Sequence, residues 1–225
     1  MNWPKDIREA KEIQLSLREE VRILPLRKRI KYVAGVDAAF FEDNVIATAC
    51  LYAYQQLIHV DDAYAVTKVL FPYIPGFLSF REGPAIIEAI NRLKTKPDVI
   101  IFDGQGIAHP KGLGIASHIG VLLNMPTIGC AKSRLVGEYA EPGIRKGEYS
   151  CLKYHGKTIG AVLRTRDNVK PVFVSPGNMI DLQGAIDVVL ECTGRYRLPE
   201  PIRCADSLAG KIKSGLCKNT VLFGA

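Results

Sequence analysis

No apolar run in the sequence is long enough to span a bilayer, and the chain opens on Asn2, Lys5, Asp6, Arg8 and Glu9 where a secretion signal would be apolar. A soluble, cytoplasmic protein with no membrane partner is expected. The six cysteines (Cys50, Cys130, Cys151, Cys192, Cys204, Cys217) form no Cys-x-x-Cys pair and no zinc-ligand spacing with the four histidines, so buried, reduced thiols are expected. The glycine fingerprint of a dinucleotide-binding turn is also missing. In Asp103-Gly104-Gln105-Gly106-Ile107-Ala108-His109-Pro110 its third glycine is replaced by His109, which argues against a Rossmann-type oxidoreductase. Nor is the segment a P-loop, because Gly112 is followed by Leu113 rather than lysine. Internal repeats, linkers and low-complexity segments are absent.

What is present suits one compact unit. A chain of 225 residues that is 48% apolar can bury one substantial core, so residues 1–225 are expected to form a single α/β domain. The net charge of +7 favours a polyanionic partner, because neutralising phosphates releases counterions. Charge alone does not say which polyanion.

Apolar residues recur at helical spacing from Lys5 to about Ile23, so an amphipathic helix capping the sheet is expected first. Two β-rich runs, Tyr32 to Phe41 and Val45 to Tyr54, flank the polar Glu42-Asp43-Asn44 and read as a hairpin; Leu57 to Leu70 is a third candidate strand. Pro72-Tyr73-Ile74-Pro75-Gly76 must be a rigid loop, since each proline fixes its own φ and restricts the residue before it. Pro84 fits the first position of a helix running to about Leu93. Asp98 to Phe102 and Pro126 to Cys130 suit buried strands, separated by the glycine-rich loop Asp103 to Gly114 and a helix over about Ile115 to Asn124. Further on, Tyr149 to Tyr154 and Thr158 to Thr165 read as a second hairpin, Pro171 to Ser175 as another strand, and about Ile180 to Cys192 and Arg203 to Leu216 as helices. The succession describes a mixed β-sheet with helices on its faces.

Within this frame Asp37 interrupts an otherwise apolar strand. The two-residue period places it on one face with Val33, Gly35 and Ala39, and small neighbours there would leave a recess beside its carboxylate. A buried acid is costly unless it is paired or binds a metal. Asp103 ends the buried run Val99 to Phe102, and strand carboxyl ends are where ligands usually sit in open sheets. Glu82, between the rigid loop and the helix expected at Pro84, can face the same crevice. Three converging acids would suit Mg²⁺, a hard cation that accepts carboxylate and water oxygens; any one of them alone could equally be a solvated turn or a salt bridge. Gly104, Gly106, Gly112 and Gly114 are read as letting backbone approach a flat ligand closely.

Taken together these stretches resemble the endonuclease V family, deoxyinosine-directed nucleases with a ribonuclease H-like fold. The resemblance runs through Gly35-Val36-Asp37, Phe71-Pro72-Tyr73-Ile74-Pro75-Gly76, Phe80-Arg81-Glu82-Gly83-Pro84, Lys96-Pro97-Asp98 and Phe102 through Gly106. It continues in Ala108-His109-Pro110, Gly114 through His118, Pro126 through Gly129, Ala131 through Leu135, Val174 through Gly177 and Pro199-Glu200-Pro201. The resemblance implies an α/β, ribonuclease H-like mixed sheet flanked by helices. Asp37, Glu82 and Asp103 become the expected metal ligands for Mg²⁺, for which Mn²⁺ can substitute. The implied reaction hydrolyses the second phosphodiester bond 3′ to the lesion and leaves a 3′-hydroxyl and a 5′-phosphate.

By the same likeness Lys132 orients the attacking water or offsets phosphate charge, and His109 contacts the phosphate or assists proton transfer. Pro72, Tyr73, Ile74 and Pro75 resemble the wedge that enters the helix where a base has left the stack. Gly76, Leu78, Gly104, Gly106, Gly114 and Ile115 would build a lesion pocket that reads hypoxanthine through backbone groups. Asp206 stands where bacterial relatives often carry a histidine, so its contact with a metal or a water is left open. His118 is expected to be structural. The implied partners are inosine-containing DNA and, as the alternative, inosine-containing RNA, bound by a monomer. The competing readings are another ribonuclease H-like nuclease without the lesion pocket, and an inosine-sensing module that does not cut.

Overall fold

The two apolar runs on either side of Glu42-Asp43 zip together along their whole length. Strand β1 (Tyr32–Phe41) pairs antiparallel with β2 (Asn44–Ala53), from Tyr32 opposite Ala53 to Phe41 opposite Asn44, and Glu42 takes a left-handed φ of 50° to close the turn. The structure, a computed structural model, describes residues 3–223. Strand β3 (Ile58–Lys68) lies outside β2 at one sheet edge. On the other side of β1, the short strands β4 (Val99–Phe102) and β5 (Thr127–Ala131) run parallel to it.

Beyond β5 the sheet continues through the second half of the chain. β6 (Tyr149–Tyr154) and β7 (Lys157–Leu163) form a hairpin around His155-Gly156, and β8 (Val172–Asn178) inserts antiparallel between β5 and β7. The result is one eight-stranded mixed sheet of order β3-β2-β1-β4-β5-β8-β7-β6.

Alternation along the central strands sorts the core into two layers. Ala34, Val36, Ile100 and Phe102 face α2 (Leu78–Asn91) and α3 (Ile115–Leu123), where Ile86, Ala89 and Ile119 close the layer. Val33, Val99, Ile101, Ile128 and Val174 face α4 (Leu182–Glu191) and α5 (Glu200–Phe223), against Ile186, Val189 and Ile202.

Three expectations change at this level. The helix expected to begin at Pro84 begins at Leu78, so Pro84 lies inside α2. An interior proline removes one helical hydrogen bond and costs about 3 kcal/mol. Tertiary packing of the first turns outweighs that cost. Phe80 is buried among Phe71, Phe77 and Trp3, Ser79 Oγ bonds His118 Nδ1 at 2.8 Å, and a Cβ on Gly83 would lie 2.6 Å from the Trp3 ring. Glu82 consequently sits on a helix and not in a loop.

Helix α1 (Ile7–Glu20), started by Asp6 accepting from the Glu9 amide at 2.9 Å, braces α3 and the 71–80 segment and not the sheet face. The recess expected beside Asp37 at Gly35 is filled: a Cβ there would stand 2.1 Å from the Pro201 carbonyl carbon, so α5 crosses directly on β1.

Candidate active site

Register brings the first two acids together. Val36 pairs with Phe102 across the parallel β1–β4 contact, and the Asp103 amide donates to the Val36 carbonyl at 3.3 Å, so Asp37 and Asp103 stand one step further on adjacent strands. Glu82 approaches from the second turn of α2. Asp206 arrives on α5, because Thr48, opposite Asp37 on β2, donates its hydroxyl to the Ala205 carbonyl at 2.9 Å and fixes that turn of helix.

The charges of this group bear on one another. Burial and the Asp103 charge, with a smaller push from Asp206, raise the Asp37 carboxyl from 3.8 to about 7 against opposing pulls from the Ala38 amide and Lys132. Burial, then the charges of Asp37 and Asp103, raise Glu82 from 4.5 to about 8, against the nearby Arg81. Lys132, just after β5, contacts Asp103 at 2.6 Å between Nζ and Oδ2. Partial burial opposes the lysine's charge, but the Asp103 contact, with Asp206 and Asp37 behind it, holds its ammonium above the usual lysine range.

A cluster of hard oxygen donors with a single paired lysine suits a divalent cation in charge and donor chemistry. Among the described residues no three His, Cys, Asp or Glu side chains are gathered closely enough to enclose an ion as they stand. A cation drawing on Asp103 would compete with Lys132 for that carboxylate.

Lys132 is itself held through its backbone. Arg197 donates to the Lys132 carbonyl at 2.8 Å, and Gln105 donates to the Ser133 carbonyl at 3.1 Å. Neither residue was singled out from the sequence. Gln105 at least lies within the glycine-rich loop, whereas nothing local marks Arg197.

Beside Asp103 opens a cavity of about 470 Å³, lined in part by Tyr73, Ile74, Pro75, Gly76, Leu78, Gly104, Gly114, Ile115 and Lys132. Five of the six expected pocket residues meet there. Gly106 does not line it and instead supports its floor. Its amide donates to Ser175 Oγ at 2.8 Å, its carbonyl accepts from Gly114 at 2.9 Å, and a Cβ would sit 2.0 Å from the Pro176 oxygen. At Gly114 likewise a Cβ would stand 2.3 Å from the Gln105 oxygen. These two glycines therefore let the protein's own backbone stack closely, where the sequence suggested room for a ligand.

His109, buried at the wall, accepts from the Lys111 amide at Nδ1 (3.2 Å), which leaves the ring proton on Nε2. Burial, helped by the Lys111 charge, lowers it to about 4, so it presents a neutral donor. His118, against Phe80 and Trp3, is a core histidine kept neutral by burial. Over the cavity mouth Tyr73 is 73% exposed, on a loop rooted by Phe71 and by Gln14, whose amide donates to the Gly76 carbonyl at 2.9 Å. Among the described residues no helix is long and apolar enough to cross a membrane.

Residues 15–207 match the profile of the family described as Endonuclease V. The chain is 50% identical to the Endonuclease V of Geotalea uraniireducens over 211 residues, covering 94% of this chain and 90% of that one. The crystal structure of the Streptomyces avermitilis Endonuclease V superposes with a TM-score of 0.92 at 40% identity, over 96% of both chains. Ciona intestinalis Endonuclease V (D234N), solved with a 23-mer DNA containing an inosine followed by a ribo-adenosine, aligns at TM-score 0.83 and 28% identity, over 93% of this chain and 98% of that one. With profile, sequence and ribonuclease H-like fold all agreeing over nearly the whole chain, this protein belongs to the Endonuclease V family and is an endonuclease.

Proposed function

We propose that this endonuclease binds DNA at hypoxanthine, the deaminated form of adenine, and hydrolyses the second phosphodiester bond on its 3′ side, leaving a 3′-hydroxyl and a 5′-phosphate. The observation that carries the reading is the shared wall. Asp103 belongs at once to the acidic group and to the cavity beneath the Tyr73 loop, so recognition and cutting have adjoining seats. The relative bound to inosine-containing DNA supports the choice of lesion.

In this reading Pro72, Tyr73, Ile74 and Pro75 fill the gap left in the helix by the extruded base. The two prolines stiffen the loop, and the exposed tyrosine replaces lost stacking. Gly76, Leu78, Gly104, Gly114 and Ile115 enclose the base, with Gly106 holding the floor. Asp37, Glu82 and Asp103, with Asp206 nearby, would hold Mg²⁺ or Mn²⁺. The chemistry such a cation would supply is a lowered pKa for an attacking water and an offset to charge on the phosphate and the departing 3′ oxygen. Lys132 supplies the fixed positive charge facing the phosphate, kept in place through Arg197 and Gln105. His109 donates from Nε2 and does not carry a charge at neutral pH.

The test offers labelled duplex DNA, single-stranded DNA and RNA, each with one inosine, with and without Mg²⁺, and maps any cut. Cutting one bond beyond the nucleotide 3′ to inosine is expected, and only with the cation. Equal cutting of undamaged strands would remove the lesion specificity. The RNA arm matters because the DNA bound by the Ciona protein carries a ribo-adenosine after the inosine.

A further inference from the structure

A second, smaller cavity of about 380 Å³ adjoins the first, and Lys132, Ser133 and Arg134 line both. Its walls carry Lys132, Arg134, Lys170 and Arg197 over the aromatic rings of Tyr139 and Phe173. Four cations converge there with one carboxylate, Glu141, and that acid is already engaged with the buried Arg164 at 2.9 Å. Of the four, only Lys132 has an acidic partner among the described ion pairs. Arg134 donates to the Gly137 carbonyl at 3.0 Å and lies over Tyr139, and Arg197 spends one nitrogen on the Lys132 carbonyl while its buried Nε meets no partner. Lys170 is exposed, beside Pro171 at the entry to β8.

Packing cations together without counter-charge is unfavourable unless an anion regularly occupies the space. The opening is wide, which suits a polymer passing through better than an enclosed small anion. A strand whose phosphate faces Asp103 and Lys132 would carry a neighbouring phosphate toward this second cavity, since Lys132, Ser133 and Arg134 form the wall between the two. We infer that the Arg134–Lys170–Arg197 cavity is a backbone subsite that binds a phosphodiester of the cleaved strand outside the scissile position. Arg197 then has two tasks, holding Lys132 through its carbonyl contact and presenting its remaining N–H groups to the strand. The inference rests on the proposed inosine-directed cleavage at Asp103 and Lys132 and extends it to how far along the strand the protein grips.

The experiment uses Lys170→Ala, because Lys170 makes no side-chain hydrogen bond or ion pair among the described residues, with Lys170→Arg as the charge-preserving control. Concentration dependence of single-turnover cutting of an inosine duplex is measured from low to moderate salt. The variant should need several-fold more enzyme for half-saturation, and its log–log salt slope should shrink by about one, the signature of one lost phosphate contact. Lys170→Arg should restore both. In a second arm, single phosphates flanking the lesion are replaced one at a time by neutral methylphosphonates. One position other than the scissile bond should weaken the parent protein and have little further effect on Lys170→Ala, marking the phosphate that the lysine meets. An unchanged salt slope, or methylphosphonate effects that add fully to the mutation at every position, would overturn the subsite. Failure of the parent protein to prefer inosine would instead strike the proposed lesion specificity, so the two failures are distinct.

Discussion

Asp103 serves two neighbours of opposite character: it accepts the Lys132 ammonium at 2.6 Å and repels the carboxylates of Asp37 and Glu82. Removing it should therefore separate the two halves of the site. Asp103→Ala is expected to lower cutting of inosine DNA by roughly 10²–10³-fold, the size of losing one electrostatic contributor to a transition state. Binding of the lesion, read by gel shift without cation, should survive, because the cavity surface is largely apolar. A variant that cuts at near-normal rate would refute the role given to Asp103. Tyr73→Ala should behave in the opposite way. Its side chain is largely in solvent and holds nothing in the fold, so cation binding should persist while affinity for inosine DNA drops toward that for undamaged DNA. Equal affinity of the variant and the parent for the lesion would contradict the wedge.

Among the elements, α5 does most to complete the site from a distance. It reaches β1 only because residue 35 has no side chain, and Thr48 then locks the helix at Ala205, one residue before Asp206. Gly35→Ala is predicted to overpack this crossing and destabilise the protein by about 1–3 kcal/mol, seen as a lower denaturant midpoint. The same variant should lose activity beyond what its folded fraction explains, because Asp206 and Asp37 move apart. An unchanged midpoint would mean the helix shifts freely and that the crossing does not position the acid. Helix α2 shows a related economy. It tolerates Pro84 in its interior because Phe80, Gly83 and Ser79 are gripped by the aromatic cluster and His118, and that grip carries Glu82 to the acids.

For the molecule as a whole, the perturbed groups predict how stability follows pH. Asp37 and Glu82 keep protons in the folded state up to about pH 7 and 8 that the unfolded chain sheds near 4, so their contribution is lost as pH rises through those values. His109 and His118, lowered to about 4, act with the opposite sign between pH 4 and 6.5, where the unfolded chain takes up protons that the folded one refuses. Below pH 6.5 the two pairs oppose each other; above it the acids are opposed by Cys204, whose thiol is lowered to about 6 chiefly by its hydrogen bond with Cys50. In a Cys204→Ser variant, which removes the opposing thiol, thermal stability in a chelating buffer should therefore fall between pH 6.5 and 8, and Mg²⁺ should remove the decline by binding the ionised carboxylates. A rise in stability over that interval without cation would show that the acids are ionised already.

Much of this was legible from residues alone. Hydrophobic period and turn chemistry located the strands, since both are local, and ordered motifs pointed to the acids, Lys132, the Tyr73 loop and most of the cavity wall. What stayed hidden depends on residues far apart in the chain. Pro84 reads as a helix start until packing around Phe80 outweighs its lost hydrogen bond. Gly35 reads as a recess until α5 is seen to fill it, and Gly106 reads as room for a ligand until Pro176 occupies the space. Local sequence thus determined which segments are strands, turns and helices and which acids are available, because propensity and periodicity act over a few residues. Only the tertiary structure decided which surfaces remain open and which charges share a site, because burial and Coulomb forces depend on distance in space and not on distance along the chain.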